Sequence, residues 1–132
     1  MLRRFVAASA VASVLIAIAA LILLVVPGFT IQRFAPVLLV WCCAPFVWGL
    51  WLMMAPASIV PEKLPAWGAI LGVVAAVMAA FVLDMPARVF GTSFPAVYRW
   101  VAVIVMVIFY FLLWMIVRTV YRNLAAETPH VR

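Results

Sequence analysis

The sequence predicts an all-α, polytopic membrane protein, a single domain over residues 1–132 with four transmembrane helices. Three observations predict this. Of the 132 residues, 72% are hydrophobic and only 9% are charged, whereas a soluble domain is about half apolar and about a quarter charged. The mean hydropathy is +1.37, and a core of this size hides only part of such a side-chain set, leaving the rest to coat the surface. Four apolar runs each approach or exceed the roughly 20 residues that a helix needs to cross a hydrocarbon layer about 30 Å thick.

The first span is 5–26, which follows Arg3 and Arg4 and stops at Pro27-Gly28. Its apolar stretch is longer than a secretory-signal core, and the triplet Ala8-Ser9-Ala10 lies too near the start for cleavage, so it is expected to be retained. The second span, 34–55, follows Arg33 and stops at Pro56. The third, 66–83, follows Pro65 and stops at Asp84, and the fourth, 100–117, lies between Arg99 and Arg118. Proline and glycine breaks coincide with the charges, so two independent signals set the same limits.

An even number of spans puts both termini and the middle loop on one side. That side carries Arg3, Arg4, Lys63, Arg118, Arg122 and Arg132, against Arg33, Arg88 and Arg99 on the other. The positive-inside bias therefore places both termini in the cytoplasm, across the cytoplasmic (inner) membrane of a bacterium. The net charge of +6 comes from residues scattered at the ends of apolar runs, which suits membrane anchoring and not a nucleic-acid face.

Helices in lipid associate by close packing, so small residues mark their contacts. In the third span Gly68, Gly72, Ala76 and Ala80 recur every fourth residue, and in the first Ser9, Ser13 and Ala17 do the same. These ridges are expected to pack on each other or to dock another protein. The fourth span has one small residue, Ala102, and is bulky all round. It is expected at the edge of the bundle, with Tyr110 seeking a hydrogen-bond partner near its middle.

The second span contains "VWCCAPFVWGLW". At about 100° per residue, Phe34, Trp41 and Trp48 fall on one line with Trp51 beside it, a flat aromatic face for a partner helix or a lipophilic ligand. The N–H groups of Trp41 and Trp48, deep in the span, need acceptors. Pro45 has no N–H to give the carbonyl of Trp41, so a kink and a free acceptor are expected there, and Gly49 leaves room for a neighbour. Cys42 and Cys43 are adjacent, which gives neither a disulfide framework nor zinc spacing; a buried thiol in apolar surroundings is a small, inert hydrophobe. The four residues "CCAP" (42–45) resemble the cysteine pair beside a proline in a membrane helix of bacterial mercury-uptake proteins. That resemblance implies a soft-metal relay; it covers these four residues only, and the second cysteine pair of those proteins has no counterpart here.

The connection 84–98, "DMPARVFGTSFPAVY", is expected to lie on the bilayer surface. Asp84 would cap a short helix with Pro86 in its first turn and Gly91 at its end, Arg88 would pair with Asp84, and Phe90, Phe94 and Tyr98 would supply apolar anchors. The connection "PASIVPEKLP" is expected to be stiff and extended. The segment 118–132 is expected as a cytoplasmic tail that prolongs the last helix through Arg118 and Arg122 towards anionic head groups and then frays, with His130 solvated.

No acidic, basic or histidine residue falls within the four spans, although proton relays, ion-coupled carriers and membrane haem sites use such residues. No phosphate loop or nucleophile elbow is present either. The expectation is a small non-catalytic integral membrane subunit or accessory protein, with no cofactor, that packs on a larger membrane complex or on copies of itself. Two alternatives stand behind it: an oligomeric transport component for a lipophilic or soft-metal cargo, and an accessory of an electron-transfer complex that holds a quinone or pigment.

Overall fold

The computed structural model describes residues 2–25 and 31–126, apart from the side chains of Ile31, Arg33 and Phe90. The Pro27-Gly28 stop, the side chains of Arg33 and Phe90, and the stretch 127–132 with Glu127, His130 and Arg132 lie outside the described residues. The protein is all-helical, with 89% of its residues in helix and no strand among the described residues. The order is α1 (Leu2–Val25), α2 (Ile31–Met54), a 3-10 turn (Pro61–Lys63), α3 (Leu64–Val77) with a π-helical continuation (Met78–Val82), the short α4 (Met85–Phe90) and α5 (Ala96–Ala126). Four stretches are long and apolar enough to cross a membrane: Leu2–Val25, Phe34–Met54, Pro61–Val82 and Ala96–Ala126.

The third and fourth depart from their expected limits for local reasons. Pro61 opens the 3-10 turn and Pro65 sits in the first turn of α3, where a missing N–H costs nothing. The connection 56–65 is therefore not extended: Ile59 N–H donates to the Pro56 carbonyl and Lys63 N–H to that of Val60, at 3.0 Å each. α5 begins at Ala96, just after Pro95, whose carbonyl receives the amides of Tyr98 and Arg99. At the other end it runs unbroken through Arg118 and Arg122 to Ala126. Pro36 and Pro45 both lie inside α2, which continues past them.

Two antiparallel pairs make up the bundle, α1 with α2 and α3 with α5. α1 also packs on α5 and α4 on α2, whereas the backbone of α2 makes little close approach to α3 or α5. Glycine sets the tightest contact. A Cβ at Gly68 would collide with the Trp114 ring, and one at Gly72 would lie 2.7 Å from Tyr110 Cβ. Holes four residues apart on α3 thus receive rings four residues apart on α5, in reverse order, as antiparallel helices require. Trp114 and Val117 are wholly buried as a result. As expected of the fourth span, much of α5 is exposed, but its inner face is the filler of α3's holes, a contact that was not expected. The expected pairing of the two small-residue ridges is overturned, because α3's is filled by α5 and α1 turns towards α2.

Burial is concentrated at one end. A core cluster joins all four long helices through Ala8, Val11 and Ala12 of α1, Trp48 and Leu52 of α2, Leu64 and Leu71 of α3, and Trp114 and Val117 of α5. The second cluster, Ala76, Ala80 and Val103, joins only α3, its π continuation and α5. The bundle is closed where α1 starts and α5 ends, and open at the other end.

Replacing Gly68 with Ala should destabilise the protein by about 1–3 kcal/mol, the usual cost of overpacking. Gly91 has open space around its Cβ position and a φ of 76°, so Gly91→Ala should cost only left-handed backbone strain, about 1 kcal/mol. Thermal unfolding of both variants in a mild detergent checks the order.

Candidate functional site

The aromatic residues of α2 line the gap between the two helix pairs. Trp48 is buried; its ring lies 5.4 Å from that of Tyr110 and 5.9 Å from that of Trp114. Tyr110 thus reaches a neighbouring helix. Trp51 stacks on Trp67 with ring centroids 5.1 Å apart and an interplanar angle of 25°. Each indole N–H donates to the other residue's backbone carbonyl, at 3.0 Å in both directions. This reciprocal clasp satisfies two polar groups that would otherwise meet an apolar environment. Long side chains, not close backbones, hold α2 to α3 and α5.

Of the expected aromatic face, Trp48 and Trp51 therefore face this chain's own helices, while Phe34 is half-buried near the start of α2. Trp41 is half-buried and lines two clefts. The first, about 170 Å³, lies between α1, α2 and α5, with Leu15, Trp48, Phe109 and Tyr110 on its walls. The second, about 560 Å³, lies under α4, which contributes Met85, Pro86 and Val89 opposite Ala76, Ala80 and Val103. A third, about 310 Å³, lies between α2, α3 and α5, with Cys43, Trp48, Leu71 and Tyr110 on its walls. All three flank the first half and middle of α2, where it stands away from the α3–α5 pair.

The small residues of the first span divide. Ser9 donates from Oγ to the Pro45 carbonyl at 2.8 Å, and Ser9 and Phe5 fill the space over Gly49, each 2.5 Å from where a Cβ would stand. Ser13 donates to the Ser9 carbonyl within its own helix. Ser13 and Ala17 are exposed, while Ala7, Ala8 and Ala12 form the buried small face of α1. At Pro45 the interhelical acceptor is the proline's own carbonyl. Cys42 and Cys43 are free and exposed, and no group of three or more metal-ligating side chains occurs among the described residues.

A polar knot closes the α3–α5 pair at the open end. Asp84 is left-handed, with a φ of 42°, and its side chain does not cap α4. Arg99, not Arg88, pairs with it, at 3.3 Å in the only ion pair among the described residues. Arg99 also donates to the carbonyls of Ala80 and Phe94, at 3.1 and 2.9 Å, and to Ser93 Oγ, and its guanidinium lies 5.9 Å from the centre of the Phe81 ring. One side chain thus serves the carbonyl of the π-helical turn, a terminus that ordinary helix bonding leaves short of donors. Arg88 donates instead to the Leu83 carbonyl at 2.7 Å. α4 is docked on the bundle through buried Val89, while Phe94 and Tyr98 after it are exposed.

The chain matches no protein-family model, no curated protein and no solved structure.

Sequence reasoning singled out α2 and α3 and passed over Trp67, Trp114 and Arg99. A signal for Trp114 was present: Tyr110 and Trp114 repeat at the same four-residue interval as Gly68 and Gly72. For Asp84 the four-residue spacing pointed to Arg88, and nothing in the sequence pointed to Arg99 instead.

Trp51→Phe and Trp67→Phe should each destabilise by about 1 kcal/mol through the lost hydrogen bond, and the double variant should be non-additive because the rings also stack. Unfolding midpoints of the three variants complete the cycle. Arg99→Gln should loosen the α3–α5 end, seen as faster proteolysis between Gly91 and Pro95, whereas Arg88→Gln should leave the rate close to that of the parent.

Proposed function

We propose that the protein is a small, non-catalytic, multi-pass subunit of the cytoplasmic membrane, with both ends in the cytoplasm, and that its open half receives a helix of another membrane protein or of a second copy. One observation carries this reading: the bundle is sealed at one end and unpacked at the other. In the open half, Leu21, Leu24, Val25 and Leu39 are 65–80% exposed, and the three apolar clefts meet around Trp41 and Trp48. The absence of acidic, basic and histidine side chains from the sequence of all four spans supports a packing role over catalysis or ion coupling.

A second reading, a lipophilic cargo, quinone or pigment held between the helix pairs, is favoured by the cleft of about 170 Å³. There Trp41 offers a flat ring, and Trp48 and Tyr110 supply polar groups in an otherwise apolar wall. The exposed cysteine pair gives a soft-metal cargo no comparable site.

Photoreactive residues placed at Leu24 and Leu39 in living cells should yield adducts with a second polypeptide, whereas one at Ile116, exposed in the closed half, should not. Adducts from all three positions alike, or from none, would sink the subunit reading. A quinone or pigment in the solvent extract of protein purified without a partner would favour the second reading instead.

A further inference from the structure

Each helix pair is tied internally at several levels. Within α1–α2, Ser9 donates to the Pro45 carbonyl and Arg4 Nη1 to the Ala55 carbonyl, at 2.8 Å each. The Phe5 and Phe46 rings meet edge to face with centroids 6.2 Å apart. Within α3–α5 the ties run from end to end. Gly68 and Gly72 receive Trp114 and Tyr110 in the closed half. In the open half, Phe81 packs on Trp100 with centroids 4.9 Å apart, and Arg99 donates to the Ala80 carbonyl at 3.1 Å. Helices this close cannot splay without losing dispersion contacts along a whole face. Each pair is a rigid body.

Between the pairs, close packing is confined to one end. The core that joins all four long helices gathers around Trp48, Leu52, Trp114 and Val117. There the Trp51–Trp67 clasp fixes α2 to α3 by a ring stack and two 3.0 Å hydrogen bonds. Towards the open end the pairs part. The clefts of about 170 and 310 Å³ share Ala44, Trp48 and Tyr110, so they flank one ring contact, on the α1 side and the α3 side. The cleft of about 560 Å³ lies farther along, between α2 and α3–α5.

At that level α4 reaches α2. Its Val89 is buried and lines the largest cleft together with Val37 and Trp41 of α2. Both joints of α4 are left-handed, Asp84 with a φ of 42° and Gly91 with a φ of 76°, and no other described residue has a positive φ. Torsions at these two places can change without breaking a helical hydrogen-bond ladder. In a hydrocarbon solvent, moreover, a widening gap meets lipid chains and not water, so opening carries no hydrophobic cost.

We propose that the two pairs form a hinge, in which α1–α2 pivots on α3–α5 about the Trp51–Trp67 clasp. α4 is the strap that travels with α2 and limits the swing. The three clefts change together as the angle changes, so an occupant of one alters the room in the others. This goes beyond the subunit reading and holds whatever the occupant is.

The test uses the full chain carrying Cys42→Ala and Cys43→Ala, spin-labelled in pairs and held in phosphatidylcholine bilayers, with distances read by double electron–electron resonance. Labels at Leu39 and Ile104 span the gap at the open end, those at Met54 and Ile116 span it at the closed end, and those at Val82 and Ile104 report on the α3–α5 pair alone; all these positions are exposed. The open-end distribution should be at least about twice as wide as either of the other two. Val89→Ser, which weakens the anchor of the strap, should widen it further and leave the closed end unchanged. Trp51→Phe combined with Trp67→Phe should widen the closed-end distribution. Should a variant not fold, the three distributions of the parent decide. Equally narrow distributions at the two ends would overturn the proposal, as would an open-end distribution unchanged in a folded Val89→Ser variant. A Val82–Ile104 distribution as wide as that of Leu39–Ile104 would also overturn it, by placing the motion inside the α3–α5 pair.

Discussion

Two apolar helices in a hydrocarbon solvent gain nothing by hiding from water, so the closeness of their approach decides how well they hold. In this bundle that constraint is met at Gly68 and Gly72, where the missing Cβ atoms admit the Trp114 and Tyr110 side chains against the α3 backbone. Dispersion contacts over a whole indole replace the exclusion of water. The register of the pair follows, because shifting α5 by a single turn would set a ring against Ala76 or Leu64 in place of a glycine. Tyr110 and Trp114, once seated, present their remaining surfaces to Trp48. The second helix pair is therefore built on the first.

The aromatic bridge also explains why the bundle is uneven. Large rings span a gap that small residues would have closed, and they do so only where they occur: at Trp48, at the Trp51–Trp67 clasp and at Trp114. Above that level α2 supplies Trp41, Val37 and Leu39, which line clefts. The Arg99 knot keeps the α3–α5 pair together at this level, and α2 meets that end of the bundle only through the short α4. Tightness at one end and room at the other arise from where the aromatic side chains fall along the sequence.

Hydropathy and proline punctuation made the helices legible, since any helix in lipid must satisfy its backbone internally and charges must stay out of its interior. Which helix meets which was not legible. The glycine ridge of α3 announced a close contact, but a hole names no occupant, and α5's unbroken apolarity concealed the face that fills it. The tryptophans of α2 were conspicuous while their direction was not, because an indole suits lipid, protein and ligand alike. Arg88 is one helical turn from Asp84 in the sequence and Arg99 much farther, so spacing favoured the wrong partner; the backbone at Asp84 is left-handed and its carboxylate meets Arg99 of α5.

The order in which the parts of the α3–α5 contact leave the ribosome has a further consequence. Trp51 and Trp67 are both present early, so the clasp can join α2 to α3 while the rest of the chain is still being made. The grooves at Gly68 and Gly72 are complete at the same moment, yet the rings that belong in them come only with α5, after α4 and its turn have been synthesised. During that interval a smooth helical surface, suited to almost any passing apolar neighbour, lies open. The nascent chain is then at its most vulnerable to mispairing, and slow elongation through α4 would prolong the danger.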